Sequence, residues 1–244
     1  MKIPDWRWII RWRIAYPIRH GHSYTKYYEI AVRRTLIQLS GKSFWDVGAN
    51  TGYYTLMLAK NFDRVTAFEP DPTSAVILER KIARHHLTNI RVVPVALADS
   101  RGTSRLYIHS RIRKGSIGSS NTLMATPPDA RAGVAESNRP ATTQSVEVET
   151  DTVDDRLGTE TVDLMKIDVE GAEFLVLKGA RSALREGRIS SLLIELHDSK
   201  RKDELDALLA EYRYRTKWLD FAMESPTNHV LATRYKSLSR WNLV

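Results

Sequence analysis

Asp46, Gly48, Asn50 and Gly52 share one short string, Asp46-Val-Gly-Ala-Asn-Thr-Gly52, directly after an apolar run. Glycines there permit a tight turn and let a ligand approach the backbone. A helix starting after such a turn offers free N–H groups and a positive dipole end to a carboxylate or phosphate. The spacing is G-x-x-x-G with an acid before it, not G-x-G-x-x-G, and no G-K-[ST] follows. That argues against NAD and against ATP. Glu69, next to Pro70, follows the second apolar run. A carboxylate in that place can accept both hydroxyls of a ribose. Further on stand Lys166-Ile-Asp168-Val-Glu170-Gly171-Ala-Glu173 and Glu195-Leu-His197-Asp198. Carboxylates beside an imidazole suit a general base or a metal site, and no compact ligand motif favours the metal. His197 reads equally well as catalytic or structural. Glu173 reads as a solvated or salt-bridged helix residue, and Glu195 as a buried anchor.

These strings need elements to hold them. Ser43–Val47, Arg64–Phe68, Ile90–Leu97, Val162–Ile167 and Ser191–Leu196 are short apolar runs that read as strands. Helical spacing lies between them. Tyr53–Lys60 is one segment. A second opens with Asp71 as N-cap and Pro72 as first helical residue. A third carries Ala172, Leu175, Val176, Ala180, Ala183 and Leu184. Leu205, Leu208, Leu209 and Tyr212 mark a further helix, and Tyr214–Phe221 with Asn228–Arg234 form a final hairpin. Repeated strand–helix units predict a mostly parallel sheet covered on both faces, an α/β sandwich. Its ligands sit at the carboxyl ends of the strands. The ends carrying Asp168 and His197 belong to consecutive strands and should be neighbours.

Two segments depart from this rhythm. Residues 110–145 are rich in Ser, Thr, Gly, Pro and Ala and read as an irregular insertion. Residues 1–41 form a basic, aromatic arm in which Arg7 and Arg11 share one helical face and Trp8, Trp12 and Tyr16 spread over the other. A second helical stretch, Tyr24 to Leu39, completes it. The arm packs on its own domain, on a second copy of the chain, or on an anionic membrane through residues 1–20. The remainder, 42–244, reads as one domain.

The net charge is +8, and 42% of residues are hydrophobic, enough for a core. No apolar run reaches the roughly 18 residues of a membrane span. The chain has no cysteine, which removes disulfides, zinc–thiolate sites and cysteine nucleophiles and fits a cytoplasmic protein. The positive charge suits anionic partners. Its dispersal, with no RNA-binding module, argues against nucleic acid.

Taken in order, FWDVGANTGYYT, AFEPDP, VVPVALADSRG, DLMKIDVEGAEFLVLKGA and LLIELHD resemble the FkbM family of S-adenosylmethionine-dependent methyltransferases over about residues 43–200. The resemblance implies the class I methyltransferase sandwich: a three-layer α/β/α fold whose seven-stranded, mostly parallel sheet has an antiparallel last strand. It also implies roles. The turn from Gly48 to Gly52 would hold the methionine end of the cofactor, with Asp46 and Asn50 beside its charged groups. Glu69 would bind the ribose. Leu97, between Ala96 and Ala98, would border the adenine, and Asp99 would reach its amine. Asp168 would lie near the sulfonium.

The implied activity is methyl transfer to a hydroxyl oxygen of a glycan or small metabolite. The proton acceptor is sought among His197, Asp168 and Glu170, with a neutral imidazole at His197 preferred. An RNA or protein methyltransferase is one rival. A non-catalytic binding protein on the same fold is another, opposed by the intact turn, Glu69 and Asp168.

Overall fold

A computed structural model describes residues 30–113, 116–123, 144–219 and 228–234. Residues 1–20, the proposed membrane-facing segment, lie outside them. Of the second arm helix, the described part is α1, Ile30–Leu36. The domain continues with β1 (Gly41–Val47), α2 (Tyr53–Leu58), β2 (Phe62–Phe68), α3 (Pro72–Arg84) and β3 (Ile90–Val93). There follow β4 (Ala96–Leu97), β5 (Gly102–Arg113), β6 (Ser116–Thr122), β7 (Gln144–Asp151) and α4 (Val153–Leu157). The last part holds β8 (Val162–Ile167), α5 (Glu173–Lys178), α6 (Arg181–Glu186), β9 (Ile189–Leu196), α7 (Lys202–Glu211), β10 (Tyr214–Trp218) and β11 (Asn228–Arg234).

Seven strands form the main sheet in the order β10-β11-β9-β8-β1-β2-β3. Strands β9, β8, β1, β2 and β3 are parallel, and β11 runs antiparallel to both of its neighbours. This is the implied sheet, with the last strand in sequence reversed. The strand order turns back at β1, between β2 and β8, so the crevice beyond the ends of β1 and β8 is where a ligand of this architecture binds.

The central strands are buried on both faces, which explains why they read as largely apolar segments, with Asp46 and Lys166 as buried charges within them. Alternation still sorts their side chains. Phe44 and Leu164 pack with Val32 and Leu36 of α1 and Tyr54, Met57 and Leu58 of α2. Trp45, Val47, Met165 and Ile167 pack on the opposite face with side chains of α4, α5, α6 and α7. Leu78 of α3 joins Leu56 and Ala67. Each such buried aliphatic or aromatic side chain contributes about 1.5–3 kcal/mol. The cap of α3 is as expected: the Asp71 carboxylate accepts from the N–H groups of Thr73 and Ser74, with Pro72 in the first turn.

Three sequence expectations change. Ile90–Leu97 is not one strand. Pro94 follows β3, and Ala96–Leu97 pairs with β7 in a second sheet of order β4-β7-β5-β6. A proline has no N–H for a ladder, so the chain leaves the main sheet there. Residues 110–145 are not irregular throughout. Strand β5 runs to Arg113 and pairs antiparallel with β6, which includes Gly118, Ser119 and Ser120. The helix spanning Ala172 to Leu184 is two helices. At the break a Cβ on Gly179 would stand 2.0 Å from the Ala98 carbonyl oxygen, and Asp154 accepts from the N–H groups of Ser182 and Ala183 at the start of α6.

Candidate active site

The turn after β1 and the end of β8 are in direct backbone contact. The Asp168 N–H donates to the Val47 carbonyl, and the N–H groups of Gly48 and Ala49 donate to the Phe68 carbonyl. A Cβ on Gly48 (φ +77°) would lie 1.8 Å from the Asp168 carbonyl oxygen. Glycine is required here for strand-end packing as well as for the left-handed turn. Gly52 (φ +85°) precedes α2, and its missing Cβ leaves room for Leu78.

An open cavity crosses these strand ends. Its lining includes Gly48, Asn50, Glu69, Asp168 and Glu170 at the polar side and Val95, Ala96, Leu97, Leu106 and Leu123 at the apolar side. Five of the expected cofactor residues are thereby brought together: Gly48, Asn50, Glu69, Leu97 and Asp168. Three are not in that lining. Gly52 packs on Leu78. Asp99 is paired with Lys178 at 2.6 Å. Asp46 is buried beneath the turn, accepting from the Thr55 hydroxyl at 2.5 Å.

Glu69 is a buried carboxylate clamped from both sides. One oxygen accepts from the Asn50 N–H at 2.6 Å and the other from the Asp71 N–H at 2.9 Å. Burial raises its pKa to about 7, and the two backbone donors only partly oppose this.

Behind Asp168 lies a buried charge network on the α2 face. Lys166 is in register with Asp46 across β8 and β1. Its ammonium is 2.9 Å from Asp168, 3.5 Å from Asp46 and 4.8 Å from the centre of the Tyr54 ring. Burial works against the Lys166 charge, but Asp168, Asp46 and Glu195 outweigh it and hold its pKa above the ordinary value. Asp168 shifts the other way. Burial and repulsion from Glu195 raise it to about 7, against Lys166 and His197. Burial would also raise Glu195, yet His229, His197 and Lys166 pull it below the usual carboxylate range.

His197 sits between two carboxylates. Its Nδ1 is 2.9 Å from the buried Glu173, which also accepts from the Gly171 N–H. Its Nε2 is 3.2 Å from Glu170. Burial disfavours the imidazolium, but hydrogen bonds to Glu170 and Glu173 hold the pKa well above 6.5. Both carboxylate contacts favour the imidazolium over a neutral ring, and His197 is not in the cavity lining. Of the two readings of Glu173 the paired one holds: it is buried and fixes the ring. His229, 3.3 Å from Glu195, was not foreseen. The only sequence signal for it was the hairpin that pairs β11 with β9.

One oxygen each of Asp168 and Glu170 and a nitrogen of His197 lie within 4.8 Å of one another, the one group of metal-ligand character found among the described residues. The Lys166 ammonium contacts Asp168 and the His197 ring contacts Glu170 at those oxygens.

The family model of the FkbM methyltransferase domain matches residues 46–216. The chain belongs to that family. The FkbM-family chain is 27% identical over 192 residues to Methyltransferase 1 of Beauveria bassiana, covering 74% of this chain and 73% of that protein. It is 28% identical over 196 residues to Methyltransferase sdnD of Sordaria araneosa, covering 71% and 75%. The FkbM methyltransferase of Methylobacillus flagellatus superposes with a TM-score of 0.52 at 18% identity, over 79% of this chain. This chain spans 43% of that one. A putative methyltransferase of Streptococcus mutans, solved with SAH, gives 0.52 at 12% identity, covering 85% of this chain and 98% of its own. The two solved structures speak to the fold, the class I methyltransferase fold. Binding of S-adenosylmethionine is typical of FkbM methyltransferases. Among the described residues of this family member, no helix is long and apolar enough to cross a membrane.

Proposed function

We propose that this methyltransferase uses S-adenosylmethionine to methylate a hydroxyl oxygen of a glycan or small metabolite. The observation that carries the reading is the one cavity joining a clamped carboxylate, Glu69, to the acidic strand end at Asp168 and Glu170. The donor set fits the cofactor. Glu69 has both oxygens fixed by backbone N–H groups and keeps lone pairs for the two ribose hydroxyls. Gly48 and Asn50 border the methionine side, and Val95, Ala96 and Leu97 offer an apolar wall to a flat base. Asp168 stands where a sulfonium would gain from a negative neighbour.

When bound, the cofactor supplies a methyl group already activated for transfer. The protein's task is to place an oxygen nucleophile in line and take its proton. Asp168 is the proposed proton acceptor. It reaches the cavity, and its pKa of about 7 lets it hold a proton at working pH. His197 acts through others: as an imidazolium between Glu173 and Glu170 it fixes the turn that follows Asp168. Lys166 keeps Asp168 oriented through its 2.9 Å contact.

Calorimetric titration with S-adenosylhomocysteine tests the cofactor, with micromolar binding expected and none for NAD. An acceptor screen with a methyl-labelled donor over sugar and metabolite hydroxyls tests the reaction. Label appearing only on nitrogen or carbon would overturn the hydroxyl assignment.

A further inference from the structure

Strand β6 contributes a polar group to the cavity that no strand-end motif anticipates. Asn121 lines the cavity, and its Oδ1 is buried with no hydrogen-bond partner. A buried amide oxygen without a donor is rare and costly, so its pairing group belongs to what the cavity holds.

The place of Asn121 identifies that group. Across the sheet the cavity runs from Asp168 at the end of β8, past Gly48 after β1 and Glu69 after β2, to Val95, Ala96 and Leu97 beyond β3. A ligand with its reactive end at Asp168 and a sugar at Glu69 has its remaining part at the β3 side. There the second sheet closes over it. Leu106 of β5 packs on Ala96 and Val148, and Leu123 packs against the same cluster. Asn121 in β6 and Leu123, just past its end, both line the cavity. The register pairs Asn121 with Ile108, two residues beyond Leu106. The apolar walls suit a flat aromatic base, and the orphaned oxygen calls for an N–H donor at its edge. Asp99 is engaged elsewhere, with Lys178.

We propose that Asn121 is the base-reading residue: its Oδ1 accepts a hydrogen bond from the exocyclic amine of the adenine. The assignment rests on the S-adenosylmethionine reading and deepens it. The chain thus recognises the base from the β5–β6 hairpin, not from Asp99.

The test is titration calorimetry of the full chain with S-adenosylhomocysteine and with its 6-deamino analogue, in which hydrogen replaces the amine. Wild type should bind the analogue roughly tenfold more weakly. Asn121→Ala should lose about tenfold for S-adenosylhomocysteine and nothing for the analogue, so that the two become equal. Asn121→Asp keeps the acceptor and should keep the preference for the amine. Melting curves check that both variants fold. Equal weakening of both ligands by Asn121→Ala, or equal binding of both by wild type, overturns the assignment alone. Wild type binding neither ligand overturns the cofactor reading and the assignment with it.

Discussion

Glu69→Gln separates the two tasks of that side chain. Gln has nearly the same shape but no charge. Its amide presents one N–H₂ where Glu69 presents a second acceptor, so either the Asn50 or the Asp71 N–H loses its partner. A buried unpaired donor costs about 1–3 kcal/mol. Against this, a carboxylate raised from 4.5 to about 7 by folding opposes the folded state when ionised, by about 3 kcal/mol. The sign follows from the raised value. The folded state is unaffected below pH 4.5, loses stability as the pH rises from 4.5 to about 7, and loses no more above that. The two effects nearly cancel at pH 8, so the variant should melt close to wild type. Cofactor binding should behave differently. Charge-assisted hydrogen bonds to ribose contribute about 1.5–3 kcal/mol, so S-adenosylhomocysteine affinity should fall about 10- to 100-fold. Wild-type affinity should also rise up to about tenfold from pH 6 to 8 as Glu69 ionises, and the variant should lack that part of the rise. Asp168 titrates in both proteins, so the difference between their slopes isolates Glu69. Calorimetry at pH 6, 7 and 8 measures it. Equal affinities at pH 8 with equal melting temperatures would refute the ribose role.

Three further outcomes are expected. His197→Ala removes the ring held between Glu170 and the buried Glu173 and should cost about 3–5 kcal/mol in urea denaturation. Because the His197 pKa is raised on folding, its stabilisation is fully present below about pH 6.5 and is lost as the pH climbs through the higher folded value. Wild type should therefore weaken towards pH 9, and the variant should lack that decline. Asp168→Asn should leave S-adenosylhomocysteine binding within about tenfold while turnover falls about 10²–10⁴-fold, read with a labelled methyl donor once an acceptor is found. Gly48→Ala, with its Cβ 1.8 Å from the Asp168 carbonyl and a left-handed φ, should lose at least about 2 kcal/mol in the same urea assay.

The main sheet was legible because its central strands are short, largely apolar segments and each ends in a distinctive polar string. Asp71 with Pro72 announced a helix, and the helix is there. Of the second sheet, β7 was legible, because Gln144–Thr150 alternates as a strand does, but the β5–β6 pair was not. Those two strands mix Arg, Ser and Gly with few large apolar residues, so composition suggested a loop. The signal present was the alternation of Leu106 and Ile108 with Arg105 and Tyr107, the period of a strand. Within the site, Gly48, Glu69 and Asp168 could be placed from strand ends alone. Asn121 could not, because it enters from a hairpin whose fold over the cavity is a tertiary fact. The setting of His197 between two carboxylates was equally hidden. Its partners Glu170 and Glu173 were in the sequence, but only the turn at Gly171 brings both carboxylates to one ring.

The reversed strand β11 has a consequence for biosynthesis. It is the last described element of the chain, yet it occupies an interior place between β9 and β10 and carries His229 opposite Glu195. On the ribosome the parallel strands can assemble in order of emergence, while β9 keeps an unpaired, strongly apolar edge until residue 234 has emerged. During that interval Glu195 also lacks one of its two neighbouring imidazoles, that of His229. A nascent or proteolysed chain ending before Asn228 would therefore expose a sticky edge beside an acidic strand end left with only part of its positive surroundings. Such a fragment should aggregate when produced alone.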